Sequence, residues 1–489
     1  MAFIDGTAVN VALPQLQQQL NASLVDVQWV IEAYALFLAA LLLVGGAAGD
    51  RFGRRRVFLL GVALFAFSSL GCGLAGSVRE LVLARALQGI GGALLVPGSL
   101  AIISASFAER DRGKAIGTWS GATAITAALG PVLGGWLIDH VSWRAVFFIN
   151  LPLAAAVIAI ALRHVPESRN AEVQGKLDWP GALLVTLGLG GIVYGLIESS
   201  NADWSQTRIL APLLLGVAAL AAFIAVEIRQ EAPLMPTRLF RSSTFTGANL
   251  LTFLLYGALG GSLFFVPLNL IQVQGYSTTA AGAAMLPLIL LLSVLSRWSG
   301  GLVDRFGAKA PLVVGPAIAA GGFALFALPG IGGSYWITFF PAVLVLGLGM
   351  SISVAPLTTT VMNSVDAKFS GAASGINNAA SRVASLLSLA LFGLIMTSMF
   401  DRVLHGELER AAAAPQVIES VERQRDKLAA IELPEGIDAG DKASARQAIA
   451  EAFVTGFRAI MLLCAGLALA SAAAAWVLIA DSGRRADDM

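Results

Sequence analysis

Apolar residues in this chain come in repeated runs of about 20, the length a helix needs to cross about 30 Å of hydrocarbon. No stretch alternates between apolar and polar with period two over ten residues, so the runs predict helices rather than barrel strands. Composition agrees. Of 489 residues 57% are hydrophobic and 13% charged, against roughly 25% charged in a soluble domain. Too few polar side chains exist to clothe a soluble protein of this size. The runs predict an all-α integral membrane protein of fourteen spans, at residues 2–14, 27–48, 57–76, 80–104, 115–138, 145–163, 178–198, 208–228, 244–270, 278–298, 310–330, 335–357, 371–400 and 450–480. A formal net charge of +1 gives no basis for nucleic-acid binding.

Lysine and arginine orient the spans. Connections after even-numbered spans hold most of them, including Arg51, Arg54, Arg55, Arg56, Lys176, Lys309 and Lys368; the short connections on the other side hold Arg79, Arg144 and Arg208. The positive-inside rule places the first set in the cytoplasm, together with both termini and a tail at 481–489 that carries Arg484 and Arg485. The mixed-charge connection 401–448, broken by Pro415 and Pro434 and helix-favouring over Pro415–Ala430, falls outside. The first run, Met1 to Pro14, reaches only roughly 20 Å and follows no basic leader. The reading favours a start upstream of Met1, and no cleavable signal is evident.

Cys72 and Cys464 lie in separate apolar runs and read as small core residues without a disulfide. His140, His164 and His405 occur in different loops without metal-ligand spacing, which gives no basis for a metal or other cofactor. Charge within a span is costly and therefore a functional signal. Asp5 lies about nine residues from the far end of its helix, roughly 14 Å deep, where a carboxyl could exchange protons between two sides or hold a fixed ion pair. Arg85 needs an acceptor, and Asp5 and Glu32 are the acids deep enough in the first four spans to provide one. Glu32 is shallower, and snorkelling to water also accounts for it. Asn377, Asn378 and Arg382 could face a central cavity or form a packing network. Arg297, Glu198 and Glu227 read as interfacial.

The segment Gly46 to Arg55 (GAAGDRFGRR) recurs as Gly300 to Lys309 (GGLVDRFGAK), a spacing of 254 residues from Asp50 to Asp304. With fourteen spans this offset is eight, which predicts two homologous six-helix halves, 1–165 and 244–480, with two extra helices inserted at 166–243. These motifs, with Phe3 to Pro14 (FIDGTAVNVALP), Leu83 to Gly92 (LARALQGIGG) and Gly130 to Gly135 (GPVLGG), resemble the major facilitator superfamily, and within it the fourteen-span EmrB/QacA-type drug:proton antiporters. Thr126 stands where that branch has a further glycine.

The resemblance implies proton or substrate coupling at Asp5, Arg85 and Glu32. It implies a conformational latch at Gly46, Asp50, Arg51, Gly53, Arg54 and Arg55, with Asp304, Arg305 and Gly307 serving the second half. It also implies an antiporter helix shaped by Gly130, Pro131, Gly134 and Gly135. The expectation is a non-enzymatic plasma-membrane transporter, driven by protons and no cofactor, that exports small amphipathic or lipophilic compounds. Export or symport of one endogenous metabolite, lipid precursor or siderophore is the nearest alternative, a scaffold or sensor a distant one, and a periplasmic adaptor is left open.

Overall fold

Backbone polar groups have no water partner in lipid, so a chain this apolar must satisfy them within each segment. The computed structural model describes residues 1–107, 109–169, 178–199, 206–230, 235–366, 369–410, 415–434 and 437–480. Among these residues the long elements are all helical: α1 (Ala2–Gln19), α2 (Leu24–Phe52), α3 (Arg54–Leu74), α4 (Val78–Ser106), α5 (Glu109–His140), α6 (Ala145–His164), α7 (Trp179–Glu198), α8 (Thr207–Arg229), α9 (Ser243–Val273), α10 (Thr278–Ala284 and Leu286–Gly300), α11 (Lys309–Phe326), α12 (Phe340–Asn363), α13 (Ser370–Arg410) and α14 (Ala439–Leu478). Side-chain caps take up free N–H groups at several starts. Ser23 and Asp26 form a reciprocal capping box on α2, while Ser77, Ser242 and Ser277 cap α4, α9 and α10.

Twelve helices among the described residues are long and apolar enough to cross a membrane. This makes the chain a multi-pass membrane protein, with a count two below the fourteen read from sequence. The two outside that set are α1 and α5. The former ends in a glutamine-rich turn that lowers its hydropathy, and several side chains of the latter lie outside the described residues. Several boundaries also differ. Helix α1 continues past Pro14 to Gln19, α13 runs to Arg410, and α14 begins at Ala439. The connection between α13 and α14 holds a helix at Pro415–Glu422 and a 3₁₀ turn at Arg425–Ala430. Glu227, in the last turn of α8, is buried and accepts the Met235 N–H at 2.8 Å. Lys176, Lys368 and the tail at 481–489 lie outside the described residues, as does the side chain of Arg297.

Packing repeats with an offset of eight helices. Helix α4 packs on α2 and α3, as α12 packs on α10 and α11; α1 packs on α5, as α9 packs on α13. Two seams join the resulting bundles, α5 against α10 and α2 against α13, and the same offset relates them. Helices α7 and α8 pair with each other, and α7 rests on α2 and α13. Small residues bring backbones together at these crossings. A Cβ at Gly45 would fall 2.0 Å from the Ala93 carbonyl oxygen, whereas one at Gly46 would meet Pro97 at an ordinary 3.7 Å. The close approach of α2 to α4 therefore depends on Gly45 and not on Gly46.

Candidate functional site

Asp5 is fully buried on α1 and has three donors. Arg85 Nη1 donates to Oδ2 at 2.6 Å, while Gln88 Nε2 and Asn150 Nδ2 donate to Oδ1 at 2.9 and 3.1 Å. Arg85 and Gln88 stand three apart on α4 and so share a face. Arg85 also donates to the Gln88 Oε1 at 2.7 Å and to the Val30 carbonyl at 3.0 Å, with its guanidinium 4.3 Å from the centre of the Tyr34 ring. Ser69 on α3 accepts from Gln88 and Asn150 and donates to the Phe147 carbonyl. Cys72, one turn on, donates its thiol hydrogen to Gln88. The network thus draws on α1, α2, α3, α4 and α6. Of the two acids available to Arg85, Asp5 is its partner.

Glu32 is also fully buried, but neither of its carboxyl oxygens has a hydrogen-bond partner. It is sealed in rather than snorkelling. One turn earlier on α2, Gln28 donates to the Leu389 carbonyl of α13 at 3.1 Å, which places this face of α2 on the seam between the bundles.

A cavity of about 760 Å³ lies between α1, α5, α9, α10 and α12. Its wall is mostly aliphatic, with Thr7, Asn10, Tyr256, Ser293, Ser296 and Ser351 as polar points and, among the described residues, no Asp, Glu, Lys or Arg. Thr7 and Asn10 share α1 with Asp5, so one helix separates the charged network from the cavity.

Beside the cavity, α5 and α10 approach closely. A Cβ at Gly130 or Gly134 would strike Thr7 or Ala8 of α1, and one at Gly135 would come 2.5 Å from the Thr278 carbonyl oxygen of α10. Gly282 reciprocates, its Cβ position lying 2.2 Å from the Pro131 carbonyl oxygen. The seam ends at Asp139. Its carboxylate accepts the Thr278 and Thr279 N–H groups at 3.3 and 2.9 Å, and both threonine hydroxyls.

A family model described as the Major Facilitator Superfamily matches residues 1–389. The chain belongs to this superfamily. This transporter is 38% identical over 403 residues to the tetracenomycin C resistance and export protein of Streptomyces glaucescens, covering 81% of this chain and 74% of the relative. It is 33% identical over 421 residues to the multidrug resistance protein Stp of Mycobacterium tuberculosis, covering 85% and 77%. Its fold resembles that of a bacterial homologue of the human lysosomal transporter Spinster, with a TM-score of 0.64 at 18% identity over 96% of this chain and 94% of the other.

In the transporter the repeated loop motifs stay within their own bundles. Asp50 pairs with Arg54 at 2.7 Å, Arg51 lies over its neighbour Phe52, and Arg55 donates to the Val165 carbonyl. The start of α3 is closed by Glu167, whose carboxylate accepts the Arg55 and Arg56 N–H groups at 3.0 and 3.2 Å. Gly53 allows this with a φ of 111°, and Gly307 occupies the matching turn at 74°. Asp304 sits in the short helix Leu302–Phe306, and Arg305 lies over the Phe306 ring. Among the described residues neither Asp50 nor Asp304 bonds to the opposite bundle.

Asn377, Asn378 and Arg382 do not line the cavity. Asn377 ties α13 to α9 through Asn249 and Thr252, and Asn378 bonds back to the Ser374 carbonyl. Sequence reasoning missed Ser69, Gln88, Asn150 and Asp139. Gln88 had a usable signal in its three-residue spacing from Arg85.

Proposed function

We propose that this transporter exports small amphipathic or lipophilic compounds in exchange for protons, as a fourteen-span member of the EmrB/QacA-type branch. The reading rests chiefly on one observation: a carboxylate, Asp5, is held by an ion pair on the same helix that presents Thr7 and Asn10 to an apolar cavity. Protonation of Asp5 removes the counter-charge of Arg85, so the network has to rearrange. Movement of α1 then carries that change to the cavity wall. Glu32 acts as a second acid, buried at the α2–α13 seam. Names of relatives support the export direction, since they describe drug resistance and antibiotic export. Several are named for one antibiotic, such as methylenomycin A or puromycin, which favours a narrow substrate range as the second reading.

In this arrangement α1 and α5 also cross the bilayer. Both pack among spanning helices, and the 32 residues of α5 extend about 48 Å. The bundles are 1–165 and 244–480 with an inserted pair between them. Their basic loops and both termini face the cytoplasm of the plasma membrane. Asp50 and Asp304 act as latches in the state where that side closes.

Asp5→Asn tests the reading. The expected result is loss of proton-dependent efflux in energised everted vesicles, with the protein still inserted in the membrane. Full efflux by Asp5→Asn would remove Asp5 from the coupling.

A further inference from the structure

We propose that Asn10 of α1 and Tyr256 of α9 select the cargo together, so that the transporter takes uncharged amphipathic compounds whose apolar frame carries carbonyl-type oxygens. The proposal rests on the export reading above and narrows its substrate class.

Both residues line the cavity of about 760 Å³. On α1 the lining residues are Thr7, Asn10 and Val11, and on α9 they include Tyr256, Leu259 and Leu263. Spacings of three and four put each set on one helical face, turned to the cavity. Asp5 stands on the other side of α1, held by Arg85.

The polar groups of this wall are not alike. Thr7, Ser293, Ser296 and Ser351 each donate the hydroxyl hydrogen to a carbonyl of their own helix, those of Ile4, Ile289, Ser293 and Gly347. Asn10 and Tyr256 differ. Ser385 of α13 bonds the Tyr256 backbone carbonyl, but among the described residues neither the phenol nor the Asn10 amide has a hydrogen-bond partner, and neither is sealed. The unused donors of the wall are therefore the amide N–H groups of Asn10 and the O–H of Tyr256.

A cargo that fills an apolar cavity displaces the water that would otherwise meet these donors. A donor left unmet in such a site opposes binding, so a compound that supplies the matching acceptor is preferred over one that lacks it. Ketone, ester and amide oxygens supply it without adding charge. Charge itself is disfavoured. Among the described residues no Asp, Glu, Lys or Arg lines the cavity, and an ion there gives up hydration without gaining a counter-charge. Asp5, the acid of α1, is already matched by Arg85. Helices α1 and α9 belong to different bundles and correspond under the eight-helix offset. A cargo bonded to Asn10 and Tyr256 thus ties the bundles together, and on α1 it pulls on the helix that carries Asp5.

Probe binding to the purified full chain in nanodiscs of zwitterionic lipid tests this, with partition into empty discs subtracted. The probes are the uncharged 7-diethylamino-4-methylcoumarin, the monoanion 7-diethylaminocoumarin-3-carboxylate, the monocation ethidium, and pyrene, which has no acceptor oxygen. The wild type is expected to bind the uncharged coumarin at least about tenfold tighter than either ion. Asn10→Leu and Tyr256→Phe nearly keep the side-chain volume and remove the hydrogen-bonding groups. Each should weaken that coumarin about fivefold to tenfold, the loss of one hydrogen bond, and leave pyrene within about twofold. Binding of either ion as tightly as the uncharged coumarin would overturn the proposal. So would unchanged coumarin affinity in either variant, or an equal loss for pyrene, which is the signature of a collapsed cavity. Efflux that depends on Asp5 alongside any of these failures sinks the substrate class alone; efflux that survives Asp5→Asn sinks the export reading itself.

Discussion

At the scale of single residues, the behaviour of Asp5 follows from how fully its partners satisfy it. Arg85, Gln88 and Asn150, all of them buried, each donate to it. Breaking one side of such a pair leaves an uncompensated buried charge, which costs about 3–5 kcal/mol. Arg85→Ala should therefore lower thermal stability in detergent by that order. Removing both charges, with Asp5→Asn and Arg85→Gln, should recover much of the stability while leaving efflux uncoupled from protons. Strictly additive losses would mean that the two side chains do not act as a pair. Asn150→Leu withdraws a single donor and should cost about 1–3 kcal/mol, read from the same melts. Asp5, Glu32 and Arg85 were legible in the sequence because a charge inside an apolar run is too costly to persist without a role. Gln88, Asn150 and Ser69 were not, since neutral polar residues are common in spans and only the fold shows that these converge. Which acid answers Arg85 also depended on the fold, because Glu32 faces α13 rather than α4.

At the scale of elements, α5 and α10 meet closely beside the cavity, and a seam that closes one end of it should depend on that contact. Their contact is backbone on backbone, with the Pro131 carbonyl against Gly282 and the Thr278 carbonyl against Gly135. Gly282→Leu inserts a side chain where even a Cβ falls 2.2 Å from an oxygen. Such overpacking typically costs about 1–3 kcal/mol, small enough for the protein to insert but large beside the balance between two conformations. The expected outcome is a seam that no longer closes, seen as faster labelling of a cysteine placed at Thr7 by a membrane-impermeant reagent added on the Asp139 side. Unchanged labelling would show that the α5–α10 contact is not what shuts that end. The glycines of α5 were legible from their motif, but Asp139 was not. Its partners begin another helix 139 residues later, a distance over which spacing carries no information. The length of α1 was also hard to read, because its glutamine-rich end dilutes the apolar signal that marks the other spans.

At the scale of the whole molecule, the two seams related by the eight-helix offset are not equivalent. Helix α7 covers the α2–α13 seam, with the Trp29 indole donating to Glu198 at 3.1 Å, whereas among the described residues nothing comparable covers α5–α10. The 3₁₀ turn at Arg425–Ala430 adds a tie across the same end of the molecule. Lys427 donates to Asn21 at 2.5 Å and its carbonyl accepts from Gln17, which in turn accepts from Gln272 of the second bundle. Alternating access requires this end to part once in each cycle, and at the α5–α10 seam the hydrogen bonds of Asp139 to Thr278 and Thr279 are what must disengage. Replacing Asp139 and Thr279 together by cysteine puts two thiols where a carboxylate now meets a threonine at the seam. Native Cys72 and Cys464 are both buried, so an oxidant acts on the new pair. Oxidation should stop efflux and a reductant should restore it. If the oxidised protein transports at the normal rate, this seam stays closed throughout the cycle, and the bundles must open this end around the α2–α13 side despite the helix that covers it.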